Sequence, residues 1–400
     1  MLIAGGGVAG LEVCLALRDL AGDRVRCSLL TPEDEFVYRP MAVGEPFARG
    51  RAQHHRLDAI AGQLGVELIK GALASVDDAA RLAITEAGDQ LSYDALVVAI
   101  GARTEPAYEH VMTWTPERDA EVFGGLLRDI EEGYVRRVAF VIPLAVAWPL
   151  PAYELALMTA WQADSMGRDD LEITIYTPEA APLAMFGAAA IAAVREDLDA
   201  VGIGVEAGCH VVAQGDGKLV VEPGARSLAD SRIVTLPRAT GWALRGLPYD
   251  TRGFIPCNAH GKVVGAAAVW AAGDATSFPI KQGGLAAQQG DAVAESIAAH
   301  AGAPVRPQPF QPVLRGVLLT GRGKAWLRGP HDDDPGAAER RALFWPPTKI
   351  AGRYLSPYLL ALESSETVGQ VPEPDGQPVN LDLERDVPAA ADALRTARRH

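Results

Sequence analysis

The feature that most constrains this chain stands at its start. Leu2-Ile3-Ala4 is a short apolar strand, Gly5-x-Gly7-x-x-Gly10 follows at once, and Leu11 to Leu17 continue with helical spacing to about Leu20. The three glycines let the backbone turn tightly, approach a ligand closely and pack a helix against a strand. The helix start then aims unpaired amides, those of Val8 and Ala9 among them, and the positive end of its dipole beyond the turn. That geometry suits a pyrophosphate. The plainer alternative is a glycine turn that holds no ligand.

The next segment, Val25-Arg26-Cys27-Ser28-Leu29-Leu30, reads as a second strand closed by Thr31-Pro32. Strand, helix and strand make a right-handed parallel unit. The acidic residue that would close the second strand and hold a ribose is missing. Thr31 stands there, with Glu33 and Asp34 just beyond, and one hydroxyl cannot bind two sugar hydroxyls as a carboxylate does. Tyr93 to Val98 form a further strand that runs through Ala99 into a turn at Gly101.

The pattern then restarts. Arg137 to Ile142 form another first strand, residues 151–165 a helix, and Leu171 to Tyr176 another second strand. The second strands end alike, in Thr31-Pro32-Glu33 and Thr177-Pro178-Glu179. This is the mark of a duplicated dinucleotide fold. The expected class is therefore α/β, with two Rossmann-like domains and a small C-terminal cap. Residues 1–107 and 237–303 form the first, discontinuous domain. Residues 108–236 form the second, and residues 304–400 the cap and a polar tail. Further helices are expected at 55–64, 184–200, 284–299 and 388–399.

Composition removes several functions. The chain has 400 residues with 37 Lys and Arg against 51 Asp and Glu, a net charge of −14. A nucleic-acid partner would need a basic face, so none is expected. No apolar run reaches the roughly 18–20 residues of a membrane helix. The apolar start lacks the basic region of a signal peptide, and a cytoplasmic location follows as the default. The cysteines Cys14, Cys27, Cys209 and Cys257 form no CxxC, which removes a cysteine metal cluster and a thioredoxin-type motif.

A second motif lies late in the chain. Val269 to Ala272 form a strand that turns at Gly273-Asp274, and Lys281-Gln282-Gly283-Gly284 open a long helix. Alone, the Gly-Asp pair serves equally to meet a ligand hydroxyl or to cap a turn.

With Gly5/Gly7/Gly10, Leu96 to Ala102, and Gly273-Asp274 with Lys281 to Gly284, the chain resembles the two-dinucleotide-binding-domain FAD-dependent oxidoreductases. Within them it is similar to the type II NADH dehydrogenase and sulfide:quinone oxidoreductase group, over roughly residues 1–303. The resemblance implies FAD, its pyrophosphate on the first glycine loop and its ribitol at Gly273 and Asp274. Ala99 and Gly101, and the helix start at Lys281, Gln282 and Gly283, are implied to line the same cofactor. Lys281 would stabilise negative charge on the reduced flavin. Phe36 to Pro40 would run along the FAD, with Arg39 either a phosphate or flavin contact or a surface ion pair. Glu154, in Pro151-Ala152-Tyr153-Glu154, would be a proton-handling carboxylate by the flavin, or simply a helix-start glutamate. By the same resemblance NAD(P)H is the donor and a quinone the small acceptor. A homodimer and a peripheral contact with the inner face of the membrane are compatible with it.

Two departures stand against parts of that reading. The second loop, Ile142-Pro143-Leu144-Ala145-Val146-Ala147-Trp148-Pro149-Leu150-Pro151, contains no glycine, and side chains fill the place of phosphate-binding amides. Trp148 and Phe278-Pro279-Ile280-Lys281 stand where paired redox cysteines would lie, and Cys209 and Cys257 read as structural. Trp148, Trp161, Trp345 and Tyr358 either wall a pocket for a flat acceptor or pack a core. Leu343 to Pro347 and Tyr354 to Leu360 are apolar but proline-broken, rimmed by Arg340, Arg341, Lys349 and Arg353, and read as a flavin lid or a membrane contact. The expectation is an FAD-dependent oxidoreductase. Its alternatives are a flavoprotein with a non-nicotinamide donor or a protein partner, a non-catalytic electron carrier, and a protein that binds no FAD.

Overall fold

A computed structural model describes residues 1–116, 119–214, 218–330 and 334–367. The helix expected at 388–399 lies outside the described residues. Met1–Tyr358 form one compact unit. The elements that build the site are, in chain order, β1 (Leu2–Ala4), α1 (Val8–Leu20), β2 (Ser28–Thr31), α2 (Leu57–Leu64), β3 (Glu67–Lys70), β4 (Leu96–Val98), β5 (Met112–Thr113) and α3 (Asp119–Glu131). Then come β6 (Arg137–Val141), α4 (Leu150–Ser165), β7 (Glu172–Thr177), α5 (Ala188–Asp199), β8 (Gly204–Ala207), β9 (Arg232–Thr235) and β10 (Val269–Ala271). They are followed by α6 (Gly283–His300), β11 (Arg315–Leu319), β12 (Lys324–Arg328), β13 (Ala337–Glu339) and α7 (Leu355–Thr367).

Two five-stranded parallel sheets carry the unit. The first has the order β10-β4-β1-β2-β3 and the second β5-β9-β6-β7-β8. The first strand of each half is central, its second strand lies to one side, and the same steps recur. Parallel strands are covered on both faces, which is why β1, β4 and β10 are apolar without alternation and fully buried. α1 and α6 pack closely: a Cβ on Gly290 would lie 3.1 Å from the carbonyl oxygen of Ala9.

Some boundaries differ from the expected ones. The helix expected from residue 55 starts at Leu57, because Gln53–Arg56 pair with Glu35–Tyr38. The one expected over 184–200 is split at Gly187 (φ 84°) into a single turn and α5. Residues 315–339 form a three-stranded antiparallel sheet, β11-β12-β13. The expectation of a proline-broken segment at 354–360 is corrected: Pro357 is the third residue of α7, where its missing N–H is not needed.

Candidate functional site

The first glycine turn is built for close approach. Gly5 has φ 115°, and a Cβ there would lie 2.2 Å from the carbonyl oxygen of Ala99. A Cβ on Gly10 would lie 1.9 Å from the Gly5 carbonyl oxygen, so only glycine lets α1 start directly behind β1. Gly7 differs, since a Cβ there would meet nothing within 4 Å. Gly7 is the N-cap of α1 and no side chain caps the helix. Among the described residues, the amides of Gly7, Val8, Ala9 and Gly10 donate to no backbone carbonyl, whereas the amide of Leu11 reaches Gly7 at 3.0 Å. Two glycines are closed by the fold itself, and the third faces open space beside unpaired donors.

The late motif comes to the same place. β10 lies beside β4, and Gly273 follows with φ 73°; a Cβ on it would sit 3.0 Å from the Cβ of Ala9. The Gly273 amide donates to Gln289 Oε1 at 2.7 Å, which fixes the turn from α6. Asp274 is half-buried, and its carboxylate accepts no hydrogen bond from the described residues. Burial pushes its pKa up from 3.8 to about 6, against the pull of Lys281. Lys281 is itself pulled down to about 8 by burial, with Asp274 opposing. Its ammonium donates to the carbonyls of Thr276 at 2.5 Å and Phe278 at 2.7 Å and lies 3.8 Å from the centre of the Phe254 ring. The lysine is caged, and the aspartate is the free group.

The other expected residues divide. Thr31 is buried at the end of β2, beside Gly6, and its hydroxyl accepts from the Glu33 amide at 3.3 Å. Ala99 is buried, with its amide on Ala4 at 2.7 Å, and Gly101 (φ 71°) has open space around it. Arg39 is exposed. Gln282 is the N-cap of α6, accepting from the Leu285 amide at 2.9 Å and donating to the Arg315 carbonyl at 3.3 Å. The expected cofactor contact therefore has its side chain committed to the helix. Gly283 is close-packed for another reason than a ligand: a Cβ there would lie 2.5 Å from Ile350 Cδ1.

The second half closes the corresponding place. Residues 142–149 separate β6 from α4, whereas residues 5–7 suffice between β1 and α1. Pro149 is the N-cap of α4 and Pro151 lies in its first turn, which removes amide donors where the first half leaves them free. Ala145 takes a left-handed φ of 58°. Glu179, the counterpart of Glu33, folds inward, and its carboxylate accepts the Tyr153 hydroxyl at 2.7 Å and the Thr177 hydroxyl at 3.0 Å. Tyr153 is fully buried.

Glu154 points elsewhere. Its carboxylate accepts the β11 amide of Leu319 at 2.9 Å and the ammonium of Lys349 at 2.5 Å, both side chains almost completely buried. Burial raises the pKa of the glutamate and Lys349 pulls it back, while burial lowers that of Lys349. The sequence places Lys349 only in a basic rim. No local pattern marks it, because its partner lies 195 residues away. Of the four aromatics, Trp148 packs edge-on against Phe186 at 5.8 Å, and Trp161 lies under Arg49 at 3.7 Å. Trp345 is 78% exposed, and Tyr358 hydrogen-bonds Gln63. They meet different partners and do not wall one pocket. All four cysteines are free thiols, each raised by burial, Cys257 to about 12, which leaves no reactive thiolate. Among the described residues no His, Cys, Asp and Glu group could hold a metal. No helix among them is long and apolar enough to cross a membrane.

These observations define an α/β protein with the fold of two-domain FAD/NAD pyridine nucleotide-disulfide oxidoreductase-like proteins. No protein-family model matches the sequence, and no curated protein does. Among solved structures, the sulfide:quinone oxidoreductase from the hyperthermophilic bacterium Aquifex aeolicus is similar with a TM-score of 0.73 and 19% identity, over 91% of this chain and 89% of that one. A ferredoxin reductase from Rhodopseudomonas palustris is similar with a TM-score of 0.58 and 20% identity, over 81% of both chains. A NAD-dependent persulfide reductase from A. fulgidus reaches 0.54 and 19%, over 83% of this chain and 64% of that one.

Proposed function

We propose that the protein is an FAD-dependent oxidoreductase that passes hydride or electrons from a donor to a small acceptor such as a quinone. The observation that carries the reading is the first turn: Gly5 and Gly10 are closed by backbone, while Gly7 opens beside unpaired helix amides. Those donors fit a pyrophosphate. The unengaged Asp274 carboxylate fits a sugar-alcohol hydroxyl. Thr31, Arg39, Ala99, Gly101 and the backbone at Lys281 to Gly283 are proposed to line the same cofactor. A bound flavin supplies two-electron redox chemistry. Lys281, fixed by two carbonyls, keeps positive charge at the head of α6. Glu154 and Lys349 hold a proton between them in a dry environment.

The donor is read differently. Pro149 and Pro151 remove amide donors at the start of α4, and Glu179 is already engaged by Tyr153 and Thr177; this favours a donor other than NAD(P)H. Purified protein should carry flavin that denaturation releases; a colourless, folded protein from FAD-replete cells overturns the main reading. Anaerobic NADH and then NADPH should leave the flavin oxidised while dithionite bleaches it. Rapid bleaching by either nucleotide would assign the donor to NAD(P)H instead.

A further inference from the structure

We propose that Arg315 and Arg328, on the antiparallel sheet after the two parallel ones, bind a phosphate-type oxyanion. Arg315 on β11 stands directly opposite Arg328 on β12. Like charges facing each other across a ladder repel, so the pair needs a counter-charge. Asp334 meets Arg328 Nη2 at 2.7 Å, and among the described residues no carboxylate meets Arg315. The Nε atoms of both arginines are buried without a hydrogen-bond partner among the described residues. Buried donors are nearly always paired, and two such orphans on cross-strand neighbours mark a place for an acceptor from outside the chain.

The surroundings hold the pair in shape. The Arg315 carbonyl is tied to Gln282, and its guanidinium stands 6.0 Å from the Phe344 ring. Phe344 meets Trp326 edge-on at 5.0 Å. Trp326 and Arg328 alternate onto one face of β12, so the Trp326–Phe344 pair lies beside the two arginines. A tetrahedral oxyanion has enough acceptors to answer both Nε–H groups and spans the distance between directly opposed side chains. Arg315 is also held below its ordinary pKa by burial and by Arg328, which an anion between them would reverse. The chemistry is shared by free phosphate and a phospholipid headgroup.

The test is calorimetric titration of the whole protein with inorganic phosphate at fixed ionic strength in chloride. Saturable one-site binding is expected. Arg315→Gln should weaken it about tenfold. Arg315→Lys keeps the charge but loses the fork and should also weaken binding. Asp334→Asn removes the competing carboxylate and should tighten it about threefold or more. Absence of saturable binding, or affinity unchanged in both Arg315 variants, overturns the proposal. If those variants do not fold, unchanged affinity in Asp334→Asn overturns it. Sedimentation with phosphatidylcholine vesicles, with and without phosphatidylglycerol, separates the sources. Retention only on the anionic vesicles and lost in Arg315→Gln assigns a lipid headgroup. Phosphate binding without retention assigns a soluble oxyanion.

Discussion

The first and second parallel sheets place their strands in the same order, yet their first turns do opposite things. Behind β1, residues 5–7 bring the start of α1 up to the sheet edge with its amides unpaired. Behind β6, residues 142–149 intervene before α4 begins, with Trp148 packed on Phe186 and Pro149 at the N-cap. Both second strands end in Thr-Pro-Glu, and both threonine hydroxyls accept the amide two residues on, at 3.3 and 3.2 Å. Only in the second half does the glutamate turn inward to Tyr153. Strand order is set by the sheet and tolerates either turn. Ligand capacity is set by the few backbone atoms between strand and helix.

The largest expected effect breaks the first turn. In Gly10→Val the new side chain would begin 1.9 Å from a backbone oxygen that has nowhere to move, and a loss on the order of 4 kcal/mol with no retained flavin is expected. Denaturant unfolding and released flavin per chain check both. A variant with normal flavin content would show that the turn is not the phosphate cradle.

Next is the buried pair where α4 meets β11. Glu154→Gln leaves the Lys349 ammonium buried without its carboxylate, at a cost of about 3–5 kcal/mol. Pairing Glu154→Leu with Lys349→Met should recover most of that stability. Recovery without turnover would separate a proton-handling role from a structural one.

Asp274 tests the first half by pH. Its folded pKa of about 6 lies above its ordinary 3.8, so the folded chain holds this proton more tightly than the unfolded one. That contribution is complete below the unfolded value and is lost as pH rises through about 6. For the flavin-free protein, Asp274→Asn should remove about 1–3 kcal/mol of this slope while weakening flavin retention. Stability curves at several pH values check the first part; unchanged flavin occupancy would remove the ribitol assignment.

The second half should respond least. Tyr153→Phe loses one hydrogen bond to Glu179, about 1 kcal/mol. Ala145→Gly relieves a left-handed residue and should stabilise by up to about 1 kcal/mol. Neither should let NADH bleach the flavin, because the prolines remain. Bleaching in Tyr153→Phe alone would identify that side chain as the barrier.

The sequence by itself determined the architecture. Short apolar strands, the three spaced glycines and the repeated Thr-Pro-Glu endings are local patterns with local causes, and they carry the duplicated fold and the first turn. It also showed that the second turn lacks glycine. Tertiary structure decided what Glu179 meets, since it reaches Tyr153 only when α4 and β7 pack. It decided that Gly283 yields to Ile350, that Gln282 caps a helix, and that Lys349 completes Glu154 from the far end of the chain. It also set Arg315 against Arg328, because cross-strand register is fixed by pairing. Glycine turns are written in spacing along the backbone; partners of buried charges are chosen by where distant segments come to rest.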